Sequence, residues 1–348
     1  MTVWKRIGAI AMSAAVAAFS AGAAGAAEFA FKLHHFLGPK APAHAAMLAP
    51  WAEGIEQASN GRVKIEIFPS MTLGGKPPQL PRQVRDGVVD MAWIVNAYAA
   101  GQFPRTEVFE LPGVYSGDIS AVNKAMHTMY AEELYKDFKG LVAVFQHVHG
   151  GQAIHMANEA VRTPADLAGK KIRIPSRTGA WVLEALGASP VKTSVGEIPV
   201  ALSKGVVDGA LIPFEIIPPL KIQQQTKFQI EGPGGKRLGT TSFSVIMNEA
   251  RWNGLPDDIR QIFIDASDEA WHDKIGKVWA KGEAVGIAVA TKAGNEHVQL
   301  SEAEWAKFEE AVAPVVHRWI KEMSDKGIDG QALYDRAVQL VDQNMASN

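Results

Sequence analysis

The chain of 348 residues contains no cysteine, so disulfides, thiol nucleophiles and a lipid-bearing cysteine near the N-terminus are all excluded. It also lacks a charge imbalance. With 35 basic against 37 acidic residues and no long run of either sign, there is no electrostatic footprint for DNA or RNA, and no nucleic-acid partner is expected. Neither Gly-x-Ser-x-Gly, a phosphate-cradling glycine loop nor His-Glu-x-x-His occurs. The common hydrolase and nucleotide-dependent enzymes therefore lose their signatures, and the expectation is a protein with no catalytic residues, no resident metal and no cofactor. Beyond residue 27 no apolar run is long enough to span a bilayer.

The first 26 residues follow the plan of a secretory signal peptide. Lys5 and Arg6 precede an apolar stretch over 7–19, and small residues lead to Ala24-Gly25-Ala26, so the mature chain is expected to begin at Ala27 or Glu28. In a bacterium with two membranes, that places it in the periplasm, not itself embedded in a membrane.

The remainder is ordinary for a globular protein, with 47% hydrophobic and 21% charged residues, and its length fits two domains. A short phrase occurs twice. Lys64-Ile65-Glu66-Ile67 runs to Pro69-Ser70 and then to Gly87-Val88-Val89-Asp90; Lys171-Ile172-Arg173-Ile174 runs to Pro175-Ser176 and then to Gly205-Val206-Val207-Asp208. Each copy reads as strand, helix and second strand opened by a glycine turn, which predicts two similar α/β halves facing each other across a cleft. In this pairing Glu66 is the counterpart of Arg173.

Strands are predicted over 29–36, 63–68, 88–95, 142–149, 171–175, 206–212 and 241–247, with helices over 43–58, 80–86, 119–135 and 178–186. Leu255-Pro256-Asp257-Asp258 opens a pattern that reads as one long helix through about 291, long enough to brace both halves. The last predicted helix starts at the capping box Ser301-x-x-Glu304 and carries Trp305, Phe308, Val312, Val315, Trp319 and Met323 at spacings of three and four, a stripe expected to be core.

Several segments together resemble the solute-binding proteins of tripartite ATP-independent periplasmic (TRAP) transporters. They are Leu167 through Lys171-Ile172-Arg173-Ile174-Pro175, Gly187-Ala188-Ser189-Pro190, Glu197 with Ala201-Leu202, Gly205 through Asp208-Gly209, Phe103-Pro104 with Phe109-Glu110-Leu111-Pro112, and Asn248 with Trp252 and Leu255-Pro256. The resemblance implies a bilobed α/β periplasmic-binding-protein fold, two domains around a ligand cleft with a long helix spanning both. The expected division is 27–148 plus about 241–275 for lobe I and 149–240 plus about 276–348 for lobe II. It also implies that the lobes close on a small organic acid and deliver it to a permease of two membrane subunits, with Arg173 as the carboxylate anchor. The chemistry of the residue agrees, since a guanidinium meets a carboxylate with two parallel bonds and stays charged at any physiological pH.

Where the sialic-acid-binding relatives have a second arginine, this chain has Ala153. Ile212 replaces their asparagine and Val195 their phenylalanine. These exchanges, with Trp93, Tyr98 and Phe214 just past the repeated strands, point to a carboxylate with an apolar or aromatic body. His35 is a candidate contact at the end of the first strand, Arg177 a candidate for a second polar group, and Glu215 a possible cleft acid; Glu66 reads more readily as a solvated strand position. His147 and His149 share a strand face and raise a metal-binding transport protein as an alternative, although no further ligand completes a zinc set. A ligand sensor for a membrane receptor is the other alternative.

Overall fold

The computed structural model describes residues 27–347; the signal-peptide assignment falls outside the described residues. The first half runs β1 (Phe29–His34), α1 (Ala49–Ala58), β2 (Val63–Phe68), α2 (Leu80–Arg85), β3 (Met91–Val95), α3 (Ile119–Glu132) and β4 (Leu141–Val148). The chain then crosses to β5 (Ala153–Met156), β6 (Lys171–Ile174), α4 (Arg177–Ala185), β7 (Ser189–Lys192), α5 (Ile198–Ser203), β8 (Gly209–Ile212), α6 (Ile217–Leu220) and β9 (Phe228–Glu231). It returns through β10 (Ser242–Asn248), α7 (Glu249–Asn253), α8 (Asp257–Asp265) and α9 (Glu269–Lys292), and ends in β11 (Glu296–Gln299), α10 (Glu302–Asp325) and α11 (Gly330–Ala346).

Two sheets result, ordered β2-β1-β3-β10-β4 and β11-β9-β5-β8-β6-β7. The architecture is the expected mixed α/β fold of two lobes. In each sheet three parallel strands are followed by an antiparallel strand that enters from the other half, β10 in the first and β5 in the second. The two crossings pair with each other, Gln152 N–H donating to Gly239 O (2.8 Å) and Leu238 N–H to Gln152 O (3.2 Å).

The internal repeat is real but its register differs from the one the sequence echo implies. Leu33 and His34 of β1 pair with Met91 and Ala92, as Ile172 and Arg173 of β6 pair with Gly209 and Ala210. Asp90 accepts from Lys32 N–H and Asp208 from Lys171 N–H, both at 2.8 Å. The counterpart of Arg173 is therefore His34, and Glu66 lies on edge strand β2, exposed to solvent. The similar letters of β2 and β6 reflect a shared strand composition, whereas Gly-Val-Val-Asp marks equivalent positions because its carboxylate closes the start of the neighbouring strand. The repeat extends upstream, where Lys76 N–H donates to Gln79 Oε1 (2.7 Å) and Ser194 N–H to Glu197 Oε2 (2.9 Å), each opening a short helical turn before a Leu-Pro or Ile-Pro pair.

The long helix expected from Pro256 is two helices. α8 ends at Asp265, and Asp268 caps α9 by accepting from Trp271 N–H (2.8 Å), while Ser267 Oγ accepts from Trp51 Nε1–H (3.1 Å). A short acceptor side chain at this position satisfies a free helix-start N–H, which favours a new helix over continuation. α9 alone braces both halves: it packs on α3 on one side and on the turn Phe214–Ile216 on the other. Gly276 and Gly286 permit this approach, since a Cβ would come within 2.1 Å of Ser120 Oγ and 2.0 Å of Phe214 O. α10 buries its whole apolar stripe as expected, with Ser301 N–H donating to Glu304 Oε2 (2.7 Å) at its start. α11, which the sequence pattern did not announce, packs on α3 and α10.

Candidate functional site

Where the ends of β3, β6 and β8 approach the crossings, a cavity lies between the two sheets. About 420 Å³ separates its wall atoms, of which about 40 Å³ takes the centre of a water molecule. Openings beyond the C-terminal ends of parallel strands are where ligands bind in open α/β sheets.

Arg173 is the only lysine or arginine on the wall, and it is 2% exposed. Its Nε and Nη2 donate to Thr193 O (3.0 and 2.9 Å), Nη1 to Leu211 O (3.3 Å) and Nη2 to Tyr98 Oη (3.2 Å). All these acceptors are neutral; among the described residues no carboxylate reaches the guanidinium in an ion pair. Burial pulls its pKa below the ordinary value, offset in part by Tyr98 and by the charge of Glu197, yet a guanidinium stays charged. A buried cation without a counter-charge is costly, and a bound anion removes that cost.

Tyr98 comes from the turn after β3 and reaches across to the other half. Its hydroxyl oxygen accepts from Arg173 and from Val195 N–H (2.9 Å), so its own proton is free to donate to a ligand oxygen. The body of the cavity is walled by a cluster of nearly parallel rings. Phe36 stacks on Trp93 (4.8 Å, 9°), Trp93 on Phe243 (5.1 Å, 6°), Phe243 on His147 (4.9 Å, 4°) and His147 on Trp279 (5.3 Å, 21°). Trp93 Nε1–H donates to His147 Nε2 (2.9 Å), and His147 Nδ1 lies 3.1 Å from Val148 O, which fixes a neutral imidazole; burial lowers its pKa to about 3. Of the cluster, Phe36, Trp93, Phe243 and Trp279 line the cavity.

Among the residues singled out from sequence, Arg173, Trp93, Tyr98, Val195, Ile212 and Glu215 lie on the wall. Three do not. Phe214 is fully buried behind it, edge-on to His155 (5.0 Å) and beneath the Arg237 guanidinium (5.2 Å). His35 is also buried, its Nε2 2.9 Å from His44 Nδ1, and it touches the cavity only through the edge of Trp93. Arg177 turns away: Glu107 takes its Nε (2.7 Å) and Nη2, Glu322 takes Nη1, and Trp181 stacks beneath it (4.7 Å). With three carboxylate contacts made, it has no reason to face the cavity.

Gln152 at the first crossing, Thr241 and Phe243 at the second, and Trp279 on α9 were not anticipated as wall residues, whereas His149, which also lines the cavity, is a hydrogen-bonding residue there. The imidazoles weighed for a metal are engaged elsewhere, His147 with the Trp93 indole N–H (2.9 Å) and His149 with Gly151 N–H (3.1 Å), and no group of three metal-ligating side chains occurs among the described residues. Glu215 is 4% exposed, and burial first, then neighbouring Glu283, pushes its carboxyl well above the usual range. Glu283 accepts from Glu215 N–H (2.9 Å), and burial likewise raises its own carboxyl, to about 7.

Two lobes around a cavity holding one buried cation without an ion-pair partner define a ligand-binding protein. The model of the family described as bacterial extracellular solute-binding protein, family 7 (DctP) matches residues 33–322, and the chain belongs to that family, the TRAP solute-binding proteins, which are transport proteins and not enzymes. It is similar to a TRAP solute-binding protein from a marine metagenome, specific for aromatic acid ligands and solved with 3-hydroxybenzoate (36% identical, TM-score 0.88, covering 91% of this chain and 99% of that one). A TRAP solute-binding protein from Rhodoferax ferrireducens, solved with copurified benzoate, is 34% identical with TM-score 0.88 and the same coverage. The C4-dicarboxylate-binding periplasmic protein DctP of Rhodobacter capsulatus is 28% identical over 82% of this chain and 84% of its own length. Among the described residues, no helix is long and apolar enough to cross a membrane.

Proposed function

We propose that this protein binds a small aromatic monocarboxylate between its lobes in the periplasm, after removal of residues 1–26, and delivers it to a two-subunit TRAP permease. The observation that carries this reading is Arg173, a buried guanidinium whose hydrogen bonds reach only neutral oxygens. A ligand carboxylate supplies the missing counter-charge, and the Tyr98 hydroxyl can donate to the same group. As Arg173 is the only lysine or arginine of the wall, one carboxylate is matched and a second is not. The aromatic wall favours a flat apolar body, because a ring packed against other rings gains offset or edge-to-face contact beyond its buried area. The relatives solved with benzoate and 3-hydroxybenzoate support this choice over C4 dicarboxylates.

Lobe I is assigned to 27–148 with about 241–275 and lobe II to 149–240 with about 276–348, so that Tyr98 and Arg173 meet only when the lobes are closed. Expulsion of water on closure strengthens the guanidinium-carboxylate pair. A thermal-shift panel of benzoate, phenylacetate, succinate, a sugar acid and zinc tests the reading. Stabilisation by the ring acids and not by succinate is expected; stabilisation by succinate alone or by zinc alone overturns it.

A further inference from the structure

Three wall residues carry a buried polar atom with no hydrogen-bond partner in the protein: Gln152 Oε1, Glu215 Oε2 and Trp279 Nε1. One end of the Gln152 side-chain amide is held by Thr241 Oγ1 (2.5 Å) and lies 3.3 Å from His149 Nε2, leaving the other end unmatched. Trp279 is 1% exposed in the middle of α9, its ring packed against His147 and Phe243, while its indole N–H meets no acceptor. Glu215 sits on the turn after β8, pressed against Gly282 of the same helix, where an added Cβ would come 2.9 Å from Glu215 Cβ. An unpaired buried polar group is unfavourable, and three of them around one cavity mark a place where something else completes the bonding.

We propose that Gln152, Glu215 and Trp279 form a second polar subsite that reads a hydroxyl group on the ring of the bound acid, so that the preferred solutes are hydroxylated aromatic monocarboxylates. This rests on the reading above of an aromatic acid anchored by Arg173. A hydroxyl fits because it accepts from the indole N–H and also donates to a carboxyl or amide oxygen, whereas a halogen or methyl group does neither. A second carboxylate does not fit. Arg237, which pairs with Glu283 (3.4 Å), is already engaged by Glu231 as well, and a further anion beside Glu215 would face the Glu283 carboxyl. Burial, and then the neighbouring Glu283, push the Glu215 carboxyl upward and favour its neutral form, which can both donate to and accept from that hydroxyl.

Calorimetric titration of the full-length mature protein with benzoate, 3-hydroxybenzoate and 4-hydroxybenzoate tests this. At least one hydroxybenzoate should bind about tenfold or more tightly than benzoate, the scale of one satisfied buried hydrogen bond. In Glu215→Leu that ratio should fall toward one, and Glu215→Gln, which keeps a neutral donor and acceptor, should retain more of it. Trp279→Phe keeps the ring, loses the N–H, and should also lower the ratio, which covers the case in which the leucine variant does not fold. Benzoate binding to the wild type with no gain from either hydroxyl, or a ratio unchanged in both Glu215→Leu and Trp279→Phe, overturns the subsite while leaving the aromatic-acid reading intact. Failure of all three acids to bind overturns both.

Discussion

Replacing Arg173 by methionine separates binding from folding. The guanidinium is buried and hydrogen-bonds only to Thr193 O, Leu211 O and Tyr98 Oη, so the free protein carries a desolvated cation with no ion-pair partner, offset only in part by the charge of Glu197. Arg173→Met removes that cost but strands two carbonyl oxygens, each worth about 1–3 kcal/mol when buried unpaired. The two effects oppose each other, and the net change in the free protein should stay within about 2 kcal/mol, or roughly 3 °C in Tm at about 2.1 cal/mol/K of unfolding entropy per residue. Binding behaves differently. Removing one member of a buried, hydrogen-bonded charge pair costs about 3–5 kcal/mol, and at about 1.4 kcal/mol per tenfold this weakens the acid by about a hundredfold to a few thousandfold. In thermal denaturation, benzoate at 100 times its wild-type Kd should stabilise the wild type by about 2.7 kcal/mol, near 4 °C, and leave the variant unmoved. A methionine variant that binds benzoate within tenfold of wild type refutes the assignment of Arg173 as the anchor.

Two further outcomes follow from the fold. Asp268→Ala removes the cap that starts α9 and should cost about 1 kcal/mol in urea denaturation; no loss would show that the α8–α9 break does not depend on this side chain. Glu110, fully buried, is pushed up to about 7 by burial, with the Ser242 N–H (3.1 Å) and hydroxyl (2.7 Å) opposing. A carboxyl whose folded pKa lies above its ordinary value of 4.5 stabilises the fold below about pH 4.5 and loses that contribution as pH rises through about 7. Relative to wild type, Glu110→Gln should therefore gain stability between pH 4.5 and 8, by up to about 3 kcal/mol at about 1.4 kcal/mol per pKa unit, and a pH-independent difference in urea midpoints would contradict this.

The sequence carries the class of fold because strand and helix punctuation is local: Gly-Val-Val-Asp before β3 and β8, the Ser301 box before α10, and prolines after strands all act within a few residues. Pairing is not local. Lys64-Ile65-Glu66-Ile67 looks like Lys171-Ile172-Arg173-Ile174, but β2 is an edge strand and β6 is flanked by β7 and β8, so His34 and not Glu66 occupies the place of Arg173. The break between α8 and α9 rests on one aspartate, a weak signal inside a strong apolar pattern. For the site, Arg173 and Tyr98 were legible because each ends a repeated strand or follows one. Phe243 and Trp279 were not, since they arrive from β10 and α9, more than 60 residues later in the chain, and a ring facing a cavity has the same spacing as a ring facing the core. Arg177 shows the converse, an arginine near the anchor that Glu107 and Glu322 draw away from it.

The most direct test is a crystal structure of the mature protein grown with benzoate. The carboxylate is expected within hydrogen-bond distance of Arg173 and the Tyr98 hydroxyl, with the ring against Trp93 and Phe243. Benzoate bound elsewhere, or bound in this cavity with its carboxylate turned away from Arg173, would contradict it.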